Sequence, residues 1–197
     1  VDEALYSQDQ RINLRAFGSI YSELNIGAFV KALEGLKFRM NFGPDLSFDR
    51  NGSFFDSRSV VRAGSSYASL ANEQAFSYTL DNILTYSKSI KKHNISLLGL
   101  QTQTRFQQEN SFMGADNVPF ASQKWNALST SNLALSSWSS SIVERQLRSY
   151  LGRVNYDFDG RFLLTVSGRY DGASQLAEGR KWAFFPSTAV GWRLDRE

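Results

Sequence analysis

Cysteine is absent from the 197-residue sequence. Disulfide scaffolds, thiolate zinc sites and cysteine nucleophiles are therefore excluded. Histidine occurs once, as His93 beside Lys91-Lys92 in a predicted turn. A Ser-His-Asp triad would have to use that residue, and no supporting motif accompanies it. No phosphate loop or GxGxxG stretch occurs, and Asp45 to Asp49 lacks the calcium-loop pattern. Carboxylates such as Asp157 and Asp159 fall on a polar face or in a turn, not across a pocket as glycosidase chemistry needs. These readings predict no enzyme, no metal and no cofactor. The net charge is only +3, and the one basic cluster, Lys91-Lys92-His93, is too short for a nucleic-acid stripe. No run approaches the ~18 apolar residues of a membrane helix. The chain opens Val1-Asp2-Glu3 with no basic, apolar leader, which leaves a processed or an excerpted chain.

Aromatic residues, in contrast, are plentiful: 15 Phe, 8 Tyr and 4 Trp against 3 Pro and 2 Met. That balance favours strands. The decisive signal is period two. From Leu36 to Asp49 the even positions read Leu36, Phe38, Met40, Phe42, Pro44, Leu46 and Phe48. The odd ones read Lys37, Arg39, Asn41, Gly43, Asp45, Ser47 and Asp49. Alternate side chains of a strand face opposite sides, so one face is apolar and the other polar. The pattern recurs over Phe76 to Ile90, Tyr150 to Phe158, Phe162 to Asp171 and Phe184 to Leu194. It is less clean over Leu14 to Val30 and Ile95 to Gln108. About seven strands are expected.

Their connections alternate in length. Short links fall at Glu34-Gly35, Lys91-Lys92-His93 and Asp159-Gly160, the last a type I′ hairpin signal. Long polar loops run from Phe48 to about Asn72 and for about thirty residues after Gln108. The Ser-rich run Ser129 to Ser141 reads as the end of that second loop entering a strand. Tight turns on one side and long loops on the other mark an antiparallel, up-and-down transmembrane β-barrel. Phe38 to Phe48 extends roughly 34 Å, or about 26 Å of bilayer when tilted ~40°, close to the ~25 Å apolar band of such barrels. Phe38, Met40, Phe42, Tyr156, Phe162, Leu164, Val166 and Trp192 are the expected lipid-facing residues. Tyr156, Phe158, Phe162 and Trp192 gather near one end, as interfacial aromatics do. A soluble β-sandwich, serving as a carbohydrate-binding or interaction module, alternates too and stands as the other reading.

The last fifty residues carry a resemblance. Ser149-Tyr150-Leu151-Gly152-Arg153-Val154-Asn155-Tyr156-Asp157-Phe158, Phe162 to Ser167, Asp171-Gly172-Ala173-Ser174, Lys181-Trp182-Ala183-Phe184-Phe185-Pro186-Ser187 and Gly191-Trp192-Arg193 resemble, in order and spacing, the barrel of SusC/RagA-type TonB-dependent transporters. The segment Gly35 to Gly43 is similar to earlier strands of the same barrel. Where members carry an Arg pair before Asp-Gly-Ser-Ser and Arg-Phe after it, this chain has Arg169-Tyr170 and Gln175-Leu176. The resemblance implies a 22-stranded barrel with an N-terminal plug in the bacterial outer membrane. It implies drive by the TonB complex, a SusD-like surface lipoprotein partner, and oligosaccharide or peptide cargo. Residues 1–197 would then be part of the barrel, without the plug. Seven strands leave open edges that lipid does not tolerate, so an internal excerpt is expected. Trp125 and Trp138, in the longest loop with Phe112 and Phe120, are the candidate cargo contacts, since aromatic faces stack on cyclic ligands. Packing within the loop is the plainer role for them.

Overall fold

In a computed structural model, residues 3–62 and 64–194 are described. Eight strands follow one another: β1 (Ser7–Phe17), β2 (Ile20–Asn25), β3 (Leu36–Phe55), β4 (Tyr67–Ile90), β5 (His93–Asp116), β6 (Ser136–Phe158), β7 (Phe162–Ala173) and β8 (Trp182–Trp192). They form one sheet in the order β1-β3-β4-β5-β6-β7-β8, with β2 also paired to β3. Apart from β2, neighbours in space are neighbours in sequence, as an up-and-down topology requires. Short 3-10 turns are the only helical pieces among the described residues.

The first expected strand, Leu14 to Val30, is corrected. It is two strands, and it starts earlier. β1 pairs antiparallel with the upper part of β3, from Ser7 opposite Phe55 to Phe17 opposite Asp45. β2 pairs with the lower part, from Ile20 opposite Phe42 to Asn25 opposite Lys37. The ladder lapses at Gly18, whose N–H bonds to the Pro44 carbonyl at 3.2 Å. Pro44 has no N–H to return. Beyond Asn25 the chain turns through 3-10 pieces at Ile26–Ala28 and Lys31–Leu33.

The other strands outrun their apolar alternation. β3 reaches Phe55 and β4 begins at Tyr67; β5 reaches Asp116 and β6 begins at Ser136. The long loops are correspondingly shorter than expected, 56–66 and 117–135. The short turns stand where the sequence placed them. Asp159 and Gly160 both take positive φ, 57° and 68°, as a type I′ turn demands.

The chain divides into two compact units. One comprises residues 1–17, 45–76 and 106–144; the other comprises 18–44, 77–105 and 145–197. The first unit holds the one hydrophobic cluster of buried residues described: Phe54, Ala68, Ala115, Val118 and Trp125, with Leu70 and Leu128 against it. In the second unit no large apolar side chain is fully buried among the described residues, and many are exposed. A β-sandwich would bury one apolar face of each sheet against the other.

Candidate functional site

The two faces of the sheet carry different chemistry. In the second unit, β6, β7 and β8 pair in unbroken register, with Tyr156 opposite Leu164 and Leu164 opposite Val190. Along β7, Phe162, Leu164 and Val166 are exposed, while Leu163, Thr165 and Ser167 between them are partly covered. Val190 on β8 is 82% exposed. On β3, Met40 is exposed and Phe38 and Phe42 are partly so. The alternation read from sequence therefore emerges as an open apolar face.

Aromatic rings mark two levels on this face of the second unit. At the turn end, Phe162 stacks between Phe158 and Trp192, with centroids 6.5 and 6.3 Å away. His93 joins this group, its Nδ1 2.7 Å from the Tyr156 hydroxyl and its ring 5.0 Å from Phe158. At the loop end, Trp182 stacks on Tyr170 at 4.7 Å and on Tyr150 at 6.1 Å. Along β7, Phe162 and Tyr170 are eight residues apart, roughly 21 Å of bilayer normal at a ~40° tilt. The sequence reading found the first group but not the second. Gly172 is the signal it passed over: a β-carbon there would sit 2.6 Å from the Trp182 ring, so the aromatic lies over the glycine.

The opposite face is a lattice of polar pairs. In the first unit, Arg11 reaches Asp49 at 3.1 Å, Asn13 donates to the same carboxylate at 2.8 Å, and Arg15 grips Asp45 at 2.6 Å. In the second, Thr102 donates to Asp81 at 2.7 Å, Thr165 to Asn155 at 2.9 Å, and Arg169 to Asp171 at 2.7 Å. All of these but Arg169–Asp171, which lies along β7, cross between strands, and cross-strand pairs hold register. A polar hollow of about 400 Å³ in the first unit is lined by Arg11, Asp49, Asn51, Glu73, Asn110 and Phe112, among others.

The residues that carried the family resemblance divide between the faces and the turns. Gly152 lies opposite Gly168, and Gly168 in turn opposite Pro186. Arg153 and Asn155 project on the polar face with Asp171. Ser187 lies opposite Ser167 and Gly191 opposite Leu163. The N–H of Arg193 bonds to the Arg161 carbonyl at 2.8 Å, and its guanidinium donates to the Gly160 carbonyl at 3.4 Å.

The two candidate tryptophans part company. Trp125 is 6% exposed and belongs to the hydrophobic cluster, whereas Trp138, at the start of β6, is 69% exposed. Trp138 borders an apolar hollow of about 290 Å³ with Met113, Leu128 and Leu133. Above β3, Asp56 accepts from the Arg58 guanidinium at 2.8 and 3.0 Å and from its N–H at 3.0 Å. These bonds to Arg58 pull its carboxyl down to about 2. Among the described residues no group of three or more His, Cys, Asp or Glu is placed to hold a metal, and no helix is long and apolar enough to cross a membrane.

Comparison with known proteins gives this wall its relatives. The family model of the TonB-dependent receptor-like β-barrel matches residues 5–197. TonB-dependent receptor P3 of Formosa agariphila is 32% identical over 179 residues, which cover 88% of this chain and 17% of that protein. TonB-dependent receptor SusC of Bacteroides thetaiotaomicron is 43% identical over 51 residues, 26% of this chain and 5% of that protein. The solved structure of the RagAB peptide transporter superposes with a TM-score of 0.85 at 19% identity, covering 98% of this chain and 22% of that one. This chain thus spans less than a quarter of each of these proteins. The fold likeness, with the family match, decides against the β-sandwich. The resemblance to SusC/RagA-type barrels is borne out, and the chain belongs to the TonB-dependent receptor-like β-barrel family.

Proposed function

We propose that these residues are part of the wall of a TonB-dependent transporter in the bacterial outer membrane, importing nutrients such as oligosaccharides or peptides. The observation that carries this reading is the open apolar face bounded by two aromatic levels roughly 21 Å apart. It suits lipid, and Phe38, Met40, Phe42, Tyr156, Phe162, Leu164, Val166 and Trp192 are its lipid-facing members. The polar face, with its Arg–Asp and Thr–Asp pairs, lines the lumen. TonB drives transport through a plug, and a SusD-like lipoprotein covers the extracellular loops. The solved relative is described as a peptide transporter, and SusC is a named relative; both fit this assignment. Trp138, with its exposed ring, is the contact for cargo or lid, while Trp125 serves its loop.

The test uses the intact protein that carries these residues. It should fractionate with the outer membrane, and deleting its gene should abolish uptake of one class of labelled oligosaccharide or peptide while leaving porin substrates unaffected. Recovery in the soluble fraction, or uptake unchanged for every cargo tried, would overturn the reading.

A further inference from the structure

The charge of the chain is unevenly placed. Its net charge of +3 comes from 22 lysines and arginines against 19 carboxylates. Three pieces at the turn end of the second unit, 88–93, 157–161 and 192–193, hold five of the cations: Lys88, Lys91, Lys92, Arg161 and Arg193. They hold only two of the carboxylates, Asp157 and Asp159. The rest of the sequence therefore carries equal numbers of each sign, and the whole excess sits here. Hydrogen bonds tie the three pieces together. The Asp159 N–H donates to the Lys92 carbonyl at 2.7 Å, and the Arg193 N–H to the Arg161 carbonyl.

Both carboxylates are already engaged. Asp159 takes the Lys92 ammonium at 2.8 Å, and Asp157 accepts from the Gly160 N–H at 2.7 Å. Among the described residues, Lys88 and Lys91 have no ion-pair partner. Lys88 also stands on the apolar face. The hydroxyls of Ser87 and Ser96 meet at 3.3 Å across the β4–β5 hairpin, so Lys88 faces Ile95 and Ile90 faces His93. Period two puts Lys88 in one row with Leu84, Tyr86 and Ile90, and Ile90 and Ile95 are exposed. His93 joins this row to the aromatic group at the turn end through its bond to Tyr156. A lysine on a lipid-facing row lays its stem along the apolar surface and brings its ammonium out where the membrane ends. Lys88 lies two residues before the end of β4, so it emerges at the turn that carries Lys91.

Resting on the membrane reading above, we propose that this turn end binds an anionic phospholipid. Lys88 and Lys91 hold the phosphate of its headgroup. Its acyl chains run along Ile90 and Ile95, beside the rings of Tyr156 and Phe158. Two features select this partner. The excess positive charge calls for a negative headgroup, and a zwitterionic lipid brings its own cation and cancels the attraction. The cations border an apolar row and an aromatic group of the interfacial kind. A free phosphate would satisfy the lysines and leave that row uncovered, whereas a lipid covers both.

The test is native mass spectrometry of the intact transporter with dioleoyl phosphatidylglycerol and dioleoyl phosphatidylcholine, which differ only in the headgroup. A lysine near an anionic lipid surface contributes about fivefold. The parent should therefore retain phosphatidylglycerol over phosphatidylcholine by roughly 25-fold through Lys88 and Lys91. Lys88→Gln combined with Lys91→Gln should bring the two lipids close to parity. Arg180→Gln combined with Lys181→Gln removes the same charge from the loop before β8 and should leave the preference intact. Equal retention of both lipids by the parent would overturn the proposal. So would a preference that survives the Lys88 and Lys91 changes, or one lost equally in the loop control. A nitroxide at position 190, tested for quenching from the lipid phase, reports the membrane reading separately. Lipid exposure there without a phosphatidylglycerol preference sinks only the headgroup site; its absence sinks the reading beneath it.

Discussion

The indole of Trp125 lies across the backbone of Gly52, in the space a β-carbon would take. Phe54, Ala68, Ala115 and Val118 complete the cluster around it. The long loop is thereby tied down on the strand ends of the first unit, helped by Lys124 to Gln8 and Arg50 to Asn126. Gly52→Ala should weaken the loop by about 1–3 kcal/mol, the usual range for overpacking. Trp125→Ala should cost about 3–5 kcal/mol of its packing. Limited proteolysis within 117–135 of the intact protein reads this out. Cleavage as slow as in the parent would show that the loop does not depend on this contact.

The two faces of β7 should answer differently to charge. Val166→Lys places an ammonium on the apolar face and should destabilise the barrel by about 2–4 kcal/mol near the bilayer midplane. Thr165→Lys and Ser167→Lys, one residue to either side, point to the polar face and should change stability little. Urea titrations of the intact barrel in liposomes compare them. Equal losses at all three positions would contradict the alternation.

That alternation is also where the sequence was most informative, and for a physical reason. Where one face is apolar and the other polar, as from Phe38 to Phe48 and from Phe162 to Tyr170, the sequence spells out its strand. Past those runs both faces are polar or loop-covered, and period two is lost. Arg50 to Phe55, Tyr67 to Gln74, Glu109 to Asp116 and Ser136 to Ser141 are strands all the same, sustained by backbone pairing and, in the first three, by the packing of Phe54, Ala68 and Ala115. They read as loop. The split at Gly18 was hidden because it depends on Pro44 across the sheet. The loop seat of Trp125 was hidden for the same reason: the partner, Gly52, is far away in sequence. Over Ile95 to Gln108 the alternation is blurred because Leu97, Leu98 and Leu100 fall on both faces.

The second aromatic level rests on Trp182 lying over Gly172 and stacking on Tyr170. Gly172→Ala leaves a β-carbon that the ring must avoid, so the stack should open. The lost aromatic pair is worth about 0.5–1.5 kcal/mol. Near-UV circular dichroism of the intact protein should lose part of its tryptophan signal, as it should in Tyr170→Leu. A spectrum unchanged in both variants would show that the stack does not set the ring's orientation.

The Asp56–Arg58 pair predicts a pH dependence confined to the loop after β3. The Asp56 carboxyl titrates normally at 3.8 and is drawn down to about 2 by its bonds to Arg58. The open loop therefore takes up a proton at a higher pH than the closed one. Opening becomes easier wherever the open form binds more protons. The pair's contribution should be complete above pH 3.8, fall as the pH drops from there through about 2, and be absent below. Both side chains lie near water, and the effect should be small. The Arg58 guanidinium also sits 4.8 Å from the Tyr6 ring centroid. Amide exchange at residues 57–62, corrected for intrinsic rates, should show increasing opening over that interval in the parent. In Asp56→Asn the acid step should shrink, since the loop then keeps carboxylate contacts other than Asp56, such as Glu3 accepting from the Val60 N–H at 3.0 Å. A parent loop with no acid step would remove the pair from any role in holding it.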